Sequence, residues 1–137
     1  MTEHWIIDAS PLILLGKAGQ LDWLLQMGRI VVPESVAAEV VAGAPDDPAR
    51  RWLEAPQGAA SIVRDDAATN DLLAWDLGAG EIAVIATAMA NPGYEAVLDD
   101  AAARRCAMVL RCSHAWHSQL RGARQKARVD TCLPTGL

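Results

Sequence analysis

Apolar residues along this chain follow two spacings: short unbroken runs, and longer stretches where they recur every third or fourth position. Unbroken runs suit strands buried on both faces, and the second spacing suits helices with one apolar side. Trp5-Ile6-Ile7 is the first run and predicts a short buried strand. Ser10-Pro11 then opens a helix, since serine is a good N-cap and proline fits the first helical position. That helix carries Leu12 to Leu15 and stops between Gly16 and Gly19. A short helix over Leu21 to Met27 precedes a second strand, Arg29 to Pro33, closed by its proline. Glu34 to Val41 reads as a helix with Val36, Val40 and Val41 on its apolar side.

Ala44 to Pro48 is a turn, Ala49 to Glu54 one or two helical turns, Ala60 to Val63 a weak strand, and Ala67 to Trp75 a helix. Gly80-Glu81 opens a longer helix, with Ile82, Ile85, Ala86 and Met89 at helical spacing and Asn91-Pro92-Gly93 as its stop. Glu95 to Leu98 is a strand closed by Asp99-Asp100, and Ala101 to Leu110 is an Ala/Arg helix. Strands alternating with helices imply an α/β fold with a central parallel sheet covered on both faces.

Length and composition sharpen this. The chain's 137 residues fit one domain with one core, and 52% hydrophobic residues exclude a disordered chain. No apolar stretch is long enough to span a bilayer, so no membrane partner is expected, and Met1-Thr2-Glu3-His4 does not begin a secretory signal. Cys106, Cys112 and Cys132 form no C-x-x-C pair and read as free thiols in a reducing cytoplasm. A net charge of −5 argues against generic nucleic-acid binding. The charge is uneven: seven of the 12 basic residues lie from Arg104 onward, and after Asp100 the one acid is Asp130.

The acids of this acidic body fall at particular places. Asp8 follows the first strand, Asp99 and Asp100 follow the strand Glu95 to Leu98, Glu81 opens a helix, and Glu39 lies within one. Ligand sites in open parallel sheets form beyond the carboxyl ends of the strands. If the first and fourth strands are neighbours, Asp8 and Asp100 meet there, and Glu81 and Glu39 can close the same cavity. Clustered carboxylates raise one another's pKa, a conflict that a hard divalent cation removes; all-oxygen ligation suits Mg²⁺ or Mn²⁺. Each acid also has a plainer role. Asp8 can cap the helix after it, Glu39 can be a solvated helix residue, Glu81 a first-turn acid favoured by the helix dipole, and Asp99 or Asp100 an N-cap.

As a set, "IIDASPLILLGKAG", "VVPESVAAEVV", "LGAGEIAVIATA" and "AVLDDAAARRCA" resemble PIN-domain proteins, and most closely the small VapC-like toxins of bacterial toxin–antitoxin pairs. The likeness covers roughly residues 5–110. It implies a three-layer α/β/α sandwich and a Mg²⁺- or Mn²⁺-dependent ribonuclease acting on RNA. It also implies a homodimer and a cognate antitoxin partner. Carried over block by block, it implies catalytic and metal-binding roles for Asp8, Glu39, Glu81 and Asp100, with Asp99 as the alternative metal ligand in the doublet. Ser10 would be the supporting polar residue, orienting Asp8 or a bound water.

The likeness fails after residue 110, so we divide the chain into a PIN-like domain, 1–110, and an atypical C-terminal tail, 111–137. Family members continue with another strand, a Gly-Thr-Leu-like turn and an apolar helix. Here "RCSHAWHSQLRGARQKARVDTCLPTGL" offers no strand-like run. Read as a shifted coding frame, Arg111 to Ser118 can spell Ala-Ala-Arg-Thr-Leu-Gly-Thr-Leu, the missing pattern. The C-terminal strand is then degraded, and the strand Glu95 to Leu98 should present an unpaired edge. His114 and His117 have no acid beside them to complete a zinc site. Two further readings compete. A catalytically impaired PIN-fold protein would only bind an antitoxin. A Rossmann-type nucleotide binder would rest on "GAGE", which follows a helix where that motif needs a strand.

Overall fold

The computed structural model describes residues 3–110 and the main chain of His114–Ala115. Five strands form one sheet, all parallel: β1 (His4–Ile7), β2 (Arg29–Pro33), β3 (Ile62–Val63), β4 (Tyr94–Val97) and β5 (His114–Ala115), in the order β3-β2-β1-β4-β5. The connecting helices are α1 (Ala9–Lys17), α2 (Leu21–Met27), α3 (Glu34–Val41), α4 (Pro48–Glu54), α5 (Pro56–Ala59), α6 (Asn70–Leu73), α7 (Ala79–Ala90) and α8 (Ala101–Val109). This is the PIN-like α/β/α arrangement, with β1 at its centre. No helix among the described residues is long and apolar enough to cross a membrane.

β1 is central because it is apolar on both faces: Trp5, Ile6 and Ile7 are all buried. Its register sets Trp5 against Ile30 on β2 and Glu95 on β4, and Ile7 against Val97. His4 stacks on Tyr94, its register partner, with ring centroids 4.4 Å apart. From β1 the chain winds outward through β2 to β3, then returns to place β4 on β1's other side. The gap between the carboxyl ends of β1 and β4 is therefore the switch point where such sheets hold ligands. The bond from the Asp8 N–H to Val97 O, 3.2 Å, ties the two strands together there.

α7 is the most enclosed helix. Gly80 and the run Ala83 to Ala88 are buried, and the helix packs on β1, β2, β4, α3 and α6. A helix apolar nearly all round belongs inside a fold. α3 is held at its start by Asp65, whose carboxylate accepts from the Ser35 N–H at 3.1 Å and from the Ser35 hydroxyl.

Most elements lie where the apolar pattern sets them; three differ. The first helix begins at Ala9 with Asp8 as its N-cap, so Ser10 is an exposed first-turn residue and not the cap. The helix expected over 67–75 is cut to Asn70–Leu73, because Thr69 takes the cap and accepts from the Leu72 N–H at 3.2 Å. The unpaired edge expected on β4 is corrected for two residues: His114 and Ala115 pair in parallel with Ala96 and Val97. Main-chain pairing does not require an apolar run. The strand is still only two residues long, and the rest of the tail, with its frame-shift reading and His117, lies outside the described residues.

One half-buried acid belongs to no site. Glu95 faces inward from β4 with its Oε2 buried and lacking a hydrogen-bond partner. Burial, and then the nearby Glu3, push its carboxyl up to about 7 from an ordinary 4.5. Between those two values the folded chain holds a proton that the unfolded chain releases, so stability falls as pH rises through that window. Glu95→Gln should raise stability by about 1–3 kcal/mol at pH 8 and leave it unchanged at pH 4. Urea melts at the two pH values check this; an equal gain at both would mean that charge burial is not the cause.

Candidate metal centre

Asp8 is the buried charged side chain of the described core, only 5% exposed. The other buried polar side chains, Ser61 and Thr87, turn their hydroxyls to backbone carbonyls: Ser61 to Gly58 O at 2.6 Å, Thr87 to Ala83 O at 2.9 Å. Asp8 Oδ1 accepts from the Ala9 N–H at 2.8 Å, which makes it the cap of α1. Capping and site-forming are thus not alternatives, because the capping geometry leaves the carboxylate at the carboxyl end of β1.

Three more acids surround it. Burial is the largest influence on Asp8 and raises its pKa; the Ala9 N–H lowers it; Glu81, Glu39 and Asp100 then raise it further, to about 7 from 3.8. Glu81, the third residue of α7, accepts from the Gly78 N–H through Oε1 at 3.1 Å. Its pKa is raised by burial, lowered by that bond, and raised again by Asp100 and Glu39. Asp100 caps α8, with Oδ2 accepting from the Ala103 N–H at 2.9 Å. Asp99 is the other member of the doublet; Arg104 Nη1 donates to its carbonyl oxygen at 3.1 Å. Asp100, and not Asp99, is among the charges that press on Asp8 and Glu81. Ser10 stands exposed one residue into α1.

Gly80, which the sequence marks only as opening the helix with Glu81, lies among these groups. A Cβ on it would stand 3.0 Å from Glu39 Oε1 and 3.4 Å from both Asp8 Oδ1 and Val36 Cγ2. Glu39 is exposed and reaches this point from α3. The space beside Gly80 is thus bounded by two carboxylate oxygens and a valine methyl, and the glycine keeps a side chain out from between Glu39 and Asp8. Among the described residues, however, no three His, Cys, Asp or Glu side chains are drawn close enough to hold an ion by themselves. The acids share one electrostatic neighbourhood, in which Asp100 and Glu39 raise the pKa of both Asp8 and Glu81. The donor set fits a hard cation: oxygen only, carboxylates only.

A parallel α/β sandwich whose switch point carries a buried aspartate ringed by acids defines a class of proteins built around a carboxylate centre. Within that class the sequence itself settles the family: the pattern of the DUF3368 family, a PIN domain, matches residues 4–113, and the chain belongs to the PIN-domain family. PIN domains are commonly nucleases, and these generally use divalent metal ions. No curated protein and no solved structure matches the chain.

Proposed function

We propose that this protein is a Mg²⁺- or Mn²⁺-dependent endoribonuclease, the toxin of a toxin–antitoxin pair, that hydrolyses RNA phosphodiester bonds at the Asp8 centre. The observation that carries the reading is Asp8 itself, a buried carboxyl held near neutrality by burial and by Glu81, Glu39 and Asp100. A fold does not keep three acids beside a buried carboxylate for stability, since the repulsion opposes folding. The homodimer and the antitoxin partner belong to the same proposal through the likeness to VapC-like toxins.

The chain's own residues divide the work. Asp8, fixed by its bond to the Ala9 N–H, is the rigid anchor at the sheet. Asp100 is fixed in the same way by the start of α8, and Glu81 by the Gly78 N–H. Glu39 comes from the exposed side on a longer arm. Together these four would hold the ion, which when bound lowers the pKa of a water and neutralises charge on a phosphodiester. Ser10, exposed two residues after Asp8, would orient a water or substrate group from the solvent side.

The test is cleavage of single-stranded RNA with Mg²⁺, with Mn²⁺ and with EDTA, for the wild type and for Asp8→Asn. Cleavage that needs the ion and Asp8 supports the reading; cleavage that survives EDTA, or none at all with folded protein, overturns it. The second outcome is what the antitoxin-binding, non-cleaving alternative expects, and that alternative draws on the lack of three acids already at ligand distance among the described residues.

A pH dependence follows. The ion competes with the proton that Asp8 holds up to about pH 7. Mn²⁺ affinity should therefore climb about tenfold per pH unit below 7 and level off above it. Calorimetric titration from pH 5.5 to 8.5 measures this, and an affinity that is flat across that range contradicts a buried, protonated Asp8 as ligand.

A further inference from the structure

We infer that Gly80 is a positioning residue of the metal centre: its missing side chain leaves Glu39 and Asp8 free to approach one ion together. The inference rests on the metal-centre reading above. Gly80 is buried at the second position of α7, and its backbone does not lie in the left-handed region that would require glycine. An ordinary helix would gain from alanine there, because glycine is the poorer helix former. Neither conformation nor propensity therefore calls for glycine; the space does.

The space is specific. The Cβ of an alanine would stand 3.0 Å from Glu39 Oε1, tighter than real Cβ atoms ordinarily approach, and 3.4 Å from Asp8 Oδ1. These contacts differ in what they can yield. Glu39 is exposed and its carboxylate ends a flexible side chain, so it swings away at small cost to the fold. Asp8 is buried and pinned to the Ala9 N–H, so it stays. The effect of a methyl at position 80 is thus to shift the Glu39 carboxylate outward by a few tenths of an ångström and to place an apolar group beside both carboxylates. The third contact, Val36 Cγ2 at 3.4 Å, is ordinary packing and gives the methyl an apolar neighbour in the folded state.

Gly80→Ala should keep or raise the thermal midpoint while weakening Mn²⁺ binding roughly 10–100-fold, the range in which groups supporting metal ligands act. Mn²⁺ affinity is read by calorimetry or by the EPR signal of free Mn²⁺, so the result does not depend on turnover. A double-mutant cycle identifies the cause. Glu39→Asp shortens the displaced arm by one methylene, so in the Gly80→Ala background it should cost much less affinity than in the wild type. Wild-type affinity in Gly80→Ala, or losses that simply multiply in the double variant, would overturn the role of Gly80 while leaving the metal centre in place. Absence of Mn²⁺ binding by the wild-type protein would overturn both. If Gly80→Ala melts well below the wild type, the glycine is structural and the inference fails.

Discussion

Asp8→Asn should lose metal-dependent RNA cleavage and, at neutral pH, make the protein more stable. The two effects have one origin. The carboxylate of Asp8 is buried and faces Glu81, Glu39 and Asp100, which raises its pKa from 3.8 to about 7. An unfolded chain ionises this group freely above pH 4, so the folded state is penalised from there upward. The penalty grows through the window between 3.8 and about 7 and is complete above it. Asparagine keeps the oxygen that accepts from the Ala9 N–H at 2.8 Å, and with it the cap of α1. It removes the charge. Allowing for the buried amide, the gain should be about 1–3 kcal/mol at pH 8 and close to nothing at pH 4. Metal affinity should fall by roughly 10²-fold or more, since groups that merely support ligands already account for 10–100-fold. Thermal melts at the two pH values, with and without Mn²⁺, separate the terms: Mn²⁺ should raise the wild-type midpoint and leave that of the variant unmoved. A variant that is less stable at pH 8 would show that the charge of Asp8 does not penalise the fold.

The second large effect is on the fold. Gly58→Ala should cost about 4 kcal/mol or more, a large share of a small domain's stability. The cause is a close approach of backbone to backbone. A Cβ on Gly58 would overlap Trp52 O and lie 2.5 Å from the carbonyl carbon of Trp52 and 2.9 Å from Leu53 Cα. None of these is the end of a side chain that could turn aside, so α4 and α5 must separate. Separation pulls the α5 turn, closed by bonds to Gly58 O from the Ser61 N–H at 3.0 Å and the Ser61 hydroxyl at 2.6 Å, away from α4. It also loosens Trp52 and Leu53, which α4 buries in the core. Gly43→Ala is the control, because its Cβ would meet only Val40 O at 3.3 Å. Urea midpoints of the two variants decide the matter; similar midpoints would mean that the α4–α5 corner relaxes more easily than its geometry suggests.

Comparing sequence and structure shows which signals are local. β1, β2 and α7 were legible because unbroken or helically spaced apolar residues state their own burial, and Asp8 because a charge directly after such a run needs a reason. α5 was not legible: Pro56-Gln57-Gly58-Ala59 has composition that reads as a turn, and only the close packing against Trp52 and Leu53 explains it. β5 could not be read because two residues paired through their main chain leave no side-chain pattern. Glu95 looked like one polar residue in an edge-like strand; its partial burial depends on Trp5, set beside it by register, and Glu3 adds a like charge. Gly80 was overlooked for a similar reason. A glycine before a first-turn acid resembles ordinary helix punctuation, and its neighbours, Glu39 and Asp8, come from other elements.

The strand order has a consequence for the chain as it is made. β1 pairs with β2 early in the sequence, but its other edge waits for β4. A nascent chain that has reached α3 already carries Asp8 and Glu39, and it lacks Glu81, Asp100 and the strand that brings them alongside. Contacts between distant parts of a chain form late, after the cost of closing the long loop has been met. The acids therefore gather only when β4 zips onto β1, nearly the last step in building the core. No ribosome-bound chain short of that point holds the full set, so the mutual repulsion of these acids bears on the fold only once the sheet is nearly complete.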